Sequence, residues 1–173
     1  MSLIVEDGTA RADAESYVSV ADADTYFANR GNAAWAALDT AAKEQALRAA
    51  TDYMMQTYRM HWTGMRVTGT QALDWPRAWV ALVDAPSGYR SVPAYVPQNI
   101  VPPEVKNACA ELAVRSLAAP LSPDLTSQVT RETVGPITVE YAAGARQAPL
   151  FKSVDAMLAV YLKGRGALDV VRG

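Results

Sequence analysis

The prolines of this chain are unevenly distributed, and their positions limit where helices can form. Six of the ten prolines lie between residues 76 and 103, and a proline inside a helix removes a hydrogen-bond donor and clashes with the preceding turn. Three of the four tryptophans, Trp62, Trp75 and Trp79, lie in or beside this stretch, which is too apolar for a solvated linker. We predict a long, extended Pro-rich arm over residues 61–102 that packs against the helices or against a neighbouring subunit.

Outside the arm, apolar residues recur at the spacing of helices with one buried face. The pattern predicts helices over about 20–30, 41–59, 103–118 and 154–163. Ser19 is expected to cap the first of these, Asp39 or Thr40 the second and Ser153 the last, since short polar side chains at these positions bind free backbone N–H groups. A short helical turn over residues 32–38 is expected to be anchored by Trp35.

Two further segments complete the predicted fold. Residues 129–142 alternate apolar and polar side chains on both sides of Gly135-Pro136, which predicts a β-hairpin with a wide or bulged loop. Residues 164–173 begin and end with glycine and predict an extended tail. At 173 residues the chain has the length of one domain. The fold class is therefore mainly α, a bundle of about four helices with one β-hairpin and a long Pro-rich arm in a single domain over residues 1–173.

Composition excludes several classes of function. One cysteine and one histidine cannot form a disulfide or a zinc finger. We expect His61 to be a surface imidazole and Cys109 a buried thiol on a helix face, and we expect no catalytic residue, cofactor or metal. The sequence shows neither the pattern of a signal peptide nor an apolar stretch long enough to span a membrane. We therefore expect a soluble intracellular protein without membrane association.

Charge bears on nucleic-acid binding. The formal net charge is −2, whereas nucleic-acid domains usually carry a basic surface that neutralises phosphates. In one stretch, basic side chains nevertheless alternate with aromatic ones, as in proteins that bind single strands: Arg59, His61, Trp62, Arg66, Trp75, Arg77, Trp79, Tyr89 and Arg90. Aromatic residues and arginine are also the favoured anchors of protein interfaces, and the acidic total favours that interpretation. The predicted subunit or partner interface consists of Trp62, Arg66, Trp75, Arg77, Trp79, Tyr89, Ile137, Val139, Tyr141, Leu168, Val170 and Val171.

Several motifs together resemble a family of tailed-phage proteins. They are Leu3-Ile4-Val5-Glu6-Asp7-Gly8-Thr9, the run from Ser16 to Tyr26, Gln71-Ala72-Leu73-Asp74-Trp75-Pro76-Arg77, Val101-Pro102-Pro103-Glu104-Val105-Lys106, and the run from Val134 to Tyr141. Members are often labelled DnaT-like single-stranded-DNA-binding proteins, and they are also similar to the head–tail connector (adaptor) proteins of tailed phages.

The adaptor resemblance implies a structural protein of the virion neck that is present in the host cytoplasm before assembly. Such adaptors form a ring, typically of twelve copies, beneath the portal protein. The ring extends the channel through which double-stranded DNA passes without specific binding, and it contacts the next neck or tail-completion protein. Each copy must then contact both neighbours head to tail. Two alternatives stay open: a single-stranded-DNA-binding replication factor, and a helical interaction protein with an unrelated partner.

Overall fold

The computed structural model describes residues 2–82, 94–124, 131–134, 137–140 and 149–164. It confirms a mainly helical fold. The helices are α1 (Val20–Ala28), α2 (Ala33–Ala36), α3 (Thr40–Tyr58), α4 (Pro103–Ser116) and α5 (Lys152–Leu158), and one turn of 3-10 helix (Ala159–Tyr161) follows α5. The four helices predicted from apolar spacing and the short turn around Trp35 are thus all present.

Two of the three predicted helix caps are confirmed, and the third is wrong. Oγ of Ser19 accepts a hydrogen bond from the Asp22 N–H at 3.0 Å, and Oδ1 of Asp39 accepts one from the Ala42 N–H at 2.7 Å. The predicted cap at Ser153 is wrong, because α5 begins earlier, after Phe151. The Ser153 hydroxyl instead accepts a hydrogen bond from Nη2 of Arg115 at 3.0 Å, which ties α5 to α4.

The core lies between α3, α4 and α5, with α1 packed against α3 and α4. Each helix buries the face that its apolar spacing predicts. The apolar residues that recur at helical spacing on α3 and α4 and are buried are Leu47, Ala50, Met54, Tyr58, Val105, Ala108, Cys109, Leu112 and Ala113. Leu117 departs from the pattern and is exposed, since α4 ends at Ser116.

The described part of the arm folds back onto its own chain instead of extending away from it. Its strands β1 (Met65–Arg66) and β2 (Arg77–Ala78) pair antiparallel, with Met65 opposite Ala78. The Thr63 N–H donates to the Tyr161 carbonyl at 2.8 Å, and the Ala72 N–H donates to the Arg11 carbonyl at 2.9 Å. The arm is therefore held by the 3-10 turn on one side and by the N-terminal loop on the other.

The predicted hairpin is present. Strands β3 (Arg131–Val134) and β4 (Ile137–Glu140) pair antiparallel, and Val134 lies opposite Ile137. The pairing of Val134 with Ile137 leaves Gly135 and Pro136 between the strands, and the wide or bulged loop expected at these two residues lies outside the described part of the chain.

Candidate functional site

Two of the predicted interface tryptophans are part of the core of their own chain. Trp62 and Trp75 are 1% and 0% exposed, and their rings meet edge to face with centroids 5.7 Å apart. Tyr58 on α3 flanks Trp62 at 5.9 Å, and Tyr161 flanks Trp75 at 5.4 Å. These rings anchor the arm to the helices, so neither tryptophan offers surface to a neighbouring subunit or a ring for a base to stack on.

Arg77 is likewise turned inward. Its guanidinium donates hydrogen bonds to the carbonyls of Thr63 at 2.8 Å, Gly64 at 2.9 Å and Asp74 at 3.1 Å. The residue is 7% exposed, and burial lowers the pKa of the guanidinium from its ordinary value. Arg77 therefore crosslinks the two sides of the arm, and it has no surface to offer as an interface or phosphate contact.

Two other arginines of the basic–aromatic stretch lie nearer the surface. Nε of Arg59 donates to Oδ1 of Asp74 at 2.9 Å, so this cation already has an internal anion. Arg66 is exposed, and its Nη1 atom donates to the Gln71 carbonyl at 3.3 Å. Arg66 is thus the described arginine of the predicted interface that a partner can reach.

Trp79 is the described predicted interface residue with the most exposed ring. It is 59% exposed, and Tyr95, which is 42% exposed, meets it edge to face with centroids 5.7 Å apart. The two residues are brought together because the segments around them pair: Ala81 lies opposite Tyr95, and the Val96 N–H donates to the Val80 carbonyl at 2.9 Å.

The strand next to Trp79 adds further apolar and basic surface. Met65, which is 59% exposed, lies opposite Ala78, the residue before Trp79, and Arg66 follows Met65 on β1. We call Met65, Arg66, Trp79 and Tyr95 the arm patch. Large apolar side chains clustered at the surface are typical of interaction sites. Tyr95 is absent from the predicted interface. Its position between Pro93 and Pro97 in the apolar arm is the sequence signal that could have identified it.

Seven predicted interface residues have no described side chain. Tyr89, Tyr141, Leu168, Val170 and Val171 lie outside the described residues, and Ile137 and Val139 are described only as backbone positions of β4. Their assignment to an interface stays a prediction.

The two residues considered for catalysis are placed as expected. His61 is exposed. Cys109 is buried on α4, where its Sγ lies 3.4 Å from Oγ1 of Thr51, and burial raises the pKa of the thiol to about 11. A neutral, inaccessible thiol is a poor nucleophile. Within the described ranges no three His, Cys, Asp or Glu side chains are grouped so as to hold a metal ion. No helix in those ranges has the length and hydropathy needed to cross a bilayer.

One comparison with known proteins is informative. The model of a family described as "Putative DnaT-like ssDNA binding protein" matches residues 1–173. The chain belongs to this family. No curated protein and no solved structure matched the chain.

Proposed function

We propose that the chain is a structural connector that binds other proteins through the arm patch. The observation that carries this proposal is the exposed Trp79–Tyr95 ring pair, 5.7 Å between centroids, in which Trp79 lies between the buried residues Ala78 and Val80. Trp79 has a positive φ of 63°, a backbone conformation that residues other than glycine rarely adopt. A bulky ring kept exposed on a strained backbone supports a role in contact with a partner.

The more specific proposal is a phage head–tail adaptor that forms a ring beneath the portal protein. The resemblance of the sequence motifs supports it, and so does the distribution of charge. Residues 1–58 hold nine of the eighteen acidic residues and four of the sixteen basic ones. The remainder is net basic, so the acidic part of one copy complements the basic part of the next in a head-to-tail contact.

In this proposal the protein acts in the virion neck and is in the host cytoplasm before assembly. Its partners are copies of itself, the portal protein and the next neck protein. Double-stranded DNA passes through the ring without specific contacts. No step of this function requires a cofactor, a metal or catalysis.

The test is electron microscopy combined with a DNA-synthesis assay on cells infected by a phage that lacks the gene. We expect normal DNA synthesis with unjoined heads and tails. Complementation with the wild-type gene should restore joining, and complementation with Trp79→Asp should not. Val160→Asp, also at an exposed apolar residue (51%), is the matched control and should restore it. Failed DNA synthesis with normally joined particles would refute the connector function.

Binding of single-stranded DNA is a second candidate, and the description of the family names it directly. The arm patch also supports it, since Trp79 and Tyr95 expose aromatic rings and Arg66 exposes a cation on the strand that pairs with β2. Base stacking on aromatic side chains with a nearby cation is the usual mode of sequence-independent binding. Against it, Trp62, Trp75, Arg59 and Arg77 are all occupied within the chain.

The two candidates are separated by fluorescence anisotropy with a labelled oligonucleotide of about 20 nucleotides. Single-strand binding predicts an affinity that falls as salt rises and that drops at least tenfold in Trp79→Ala and in Arg66→Ala. Arg11→Ala is the control, because it removes a surface arginine that lies outside the arm patch and is paired with Asp13. A connector predicts no binding at physiological salt that depends on Trp79.

A further inference from the structure

A groove runs along the exposed side of α3. Three adjoining hollows of about 350, 250 and 250 Å³ share lining residues and form it. Its floor is α3 from Ala42 through Ala49 to Thr57, and the segment after α4, with Leu117 and Leu121, forms the opposite wall. Each hollow lies near or below the lower limit of small-molecule pockets, roughly 300 Å³, so the groove suits the side chains of a peptide segment.

The lining of the groove contains exposed aliphatic side chains and two carboxylates, with Asp155 in the same hollow as Leu150 and Asp52 in the middle hollow. Leu117 is 42% exposed at one end and Leu150 is 44% exposed at the other. Asp52 has no cation within ion-pair distance among the described residues, and Asp155 accepts a hydrogen bond from Tyr58 at 2.8 Å. Partial burial raises the pKa of Asp52. A ligand for this groove therefore combines aliphatic side chains with positive charge.

The length of the groove corresponds to a short extended segment. Ala42 and Thr57 are fifteen residues apart on α3, which is about 23 Å at 1.5 Å per residue. An extended chain covers this distance with roughly seven residues at 3.3 Å each. The nine residues 165–173, which we call the tail segment, span about 30 Å when extended.

The tail segment starts near one end of the groove. Leu162 pairs antiparallel with Trp62, and the Lys163 N–H donates to the His61 carbonyl at 2.7 Å. The chain therefore runs back toward Tyr58 and the end of α3 as it reaches Gly164. Thr57 and Tyr58 line the nearest hollow, so the tail segment has enough residues to enter the groove and to follow α3 toward Ala42.

The tail segment also has the complementary chemistry. Its sequence is Arg-Gly-Ala-Leu-Asp-Val-Val-Arg-Gly. Leu168 and Val170 are two residues apart and project to the same side of an extended chain. Arg165 and Arg172 lie at its two ends and complement the acidic lining.

We propose that the groove along α3 binds residues 165–173 of the same chain in an extended conformation. Leu168 and Val170 insert between α3 and the Leu117–Leu121 wall, and the two arginines face Asp155 and Asp52. This inference does not rest on the connector function. It means that the segment expected to bind a partner is held by its own chain in the free protein.

The first test uses a variant that lacks residues 165–173 and a fluorescein-labelled peptide of the tail segment. We expect the peptide to bind the shortened variant at least tenfold more tightly than the full chain, whose groove is occupied. Ala49→Trp, which fills the groove, should abolish binding to the shortened variant. Ala21→Trp, at an exposed position of α1, should not, provided that circular dichroism shows both variants folded.

Other outcomes overturn the proposal. Absence of binding to the shortened variant would show that the groove does not accept the tail segment. Equal binding to both forms would show that the groove of the full chain is free.

The second test asks whether the tail segment and the groove belong to the same molecule. Ala49→Cys and Val170→Cys are combined with Cys109→Ala, and oxidation is followed on a non-reducing gel. We expect a disulfide within the monomer. Covalent dimers and larger species would assign the groove to the tail segment of a second copy instead.

Discussion

The Nε atom of Arg59 donates a hydrogen bond to Oδ1 of Asp74 at 2.9 Å and so ties the end of α3 to the arm. The two partners differ in exposure: the Arg59 side chain is 49% exposed and the Asp74 side chain 1%. Oδ2 of Asp74 has no hydrogen-bond partner among the described residues. The buried carboxylate therefore depends on Arg59 as its ionic partner.

Arg59→Ala should lower the free energy of unfolding by about 1–3 kcal/mol, because it leaves a buried charge without its partner. Asp74→Asn in the Arg59→Ala background should recover part of this loss, since it removes the charge. Arg11→Ala, which breaks the exposed pair with Asp13, should cost much less stability, because solvent screens a surface pair. Urea denaturation of the wild-type protein and the three variants measures these values, and equal losses for Arg59→Ala and Arg11→Ala would contradict the assignment.

Substitution of Gly8 should be much more costly than substitution of Gly31. Both glycines have positive φ, 101° and 65°, but a Cβ at Gly8 would clash with the Asn99 carbonyl oxygen, whereas nothing lies within 4 Å of one at Gly31. Gly31→Ala should cost roughly 1–2 kcal/mol, the cost of a left-handed conformation. Gly8→Ala adds a backbone clash and should exceed it. Urea midpoints of the two variants decide this, and a Gly8→Ala protein as stable as Gly31→Ala would show that the Gly8–Asn99 contact can open.

The sequence was sufficient to predict the helices, because their signals are local. Ser19 and Asp39 are short polar residues that precede apolar runs of period 3.6, and both cap helices. The Ser153 cap was wrong because Phe151 and Lys152 carry no signal against continuing the helix by two more residues in the N-terminal direction.

The arm was only partly predictable. Its tryptophans indicated that the arm packs against the helices or against a neighbouring subunit. Composition alone does not distinguish a tryptophan that is buried in the core, such as Trp62, from one that is exposed at the surface, such as Trp79. Strands of two residues, such as β1 and β2, have no periodicity to detect. The burial of Arg77 depends on three carbonyls that the fold of the arm brings together, and nothing in the neighbouring sequence indicates it.

The carboxylate of Glu6 organises the N-terminal loop. The residue is 1% exposed. Its Oε1 atom accepts hydrogen bonds from the N–H groups of Gly8 at 2.8 Å and Ala10 at 3.0 Å, and its Oε2 atom accepts one from Arg11 at 2.9 Å.

Glu6→Gln should therefore destabilise the protein by about 1–3 kcal/mol, since the amide replaces one acceptor by a donor that faces another donor. Amide hydrogen exchange at residues 8, 10 and 11 should be faster in this variant, because these three N–H groups donate to the Glu6 carboxylate. Asp7→Asn is the matched control, because the carboxylate of Asp7 is exposed and binds Thr9 at the surface. Unchanged exchange in Glu6→Gln would show that the loop does not depend on this carboxylate.

The buried Cys109 should make the protein less stable at alkaline pH. Burial raises the pKa of the thiol from its ordinary value of 9.0 to about 11. Between these values the unfolded chain loses the proton while the folded chain keeps it, so the free energy of unfolding falls as pH rises, by up to about 1.4 kcal/mol per pH unit. Below pH 8 both states hold the proton and this dependence vanishes.

Cys109→Ala should remove this dependence from the range between pH 8.5 and 10. Burial also raises the pKa of Tyr17, so a further fall in stability above pH 10, where tyrosines of the unfolded chain ionise, should persist in the Cys109→Ala variant. Urea denaturation of both proteins at pH 7, 8, 9, 10 and 11 measures the difference in slope below pH 10 and the shared fall above it. An identical slope in the two proteins up to pH 10 would mean that the thiol is not the group whose proton the fold retains.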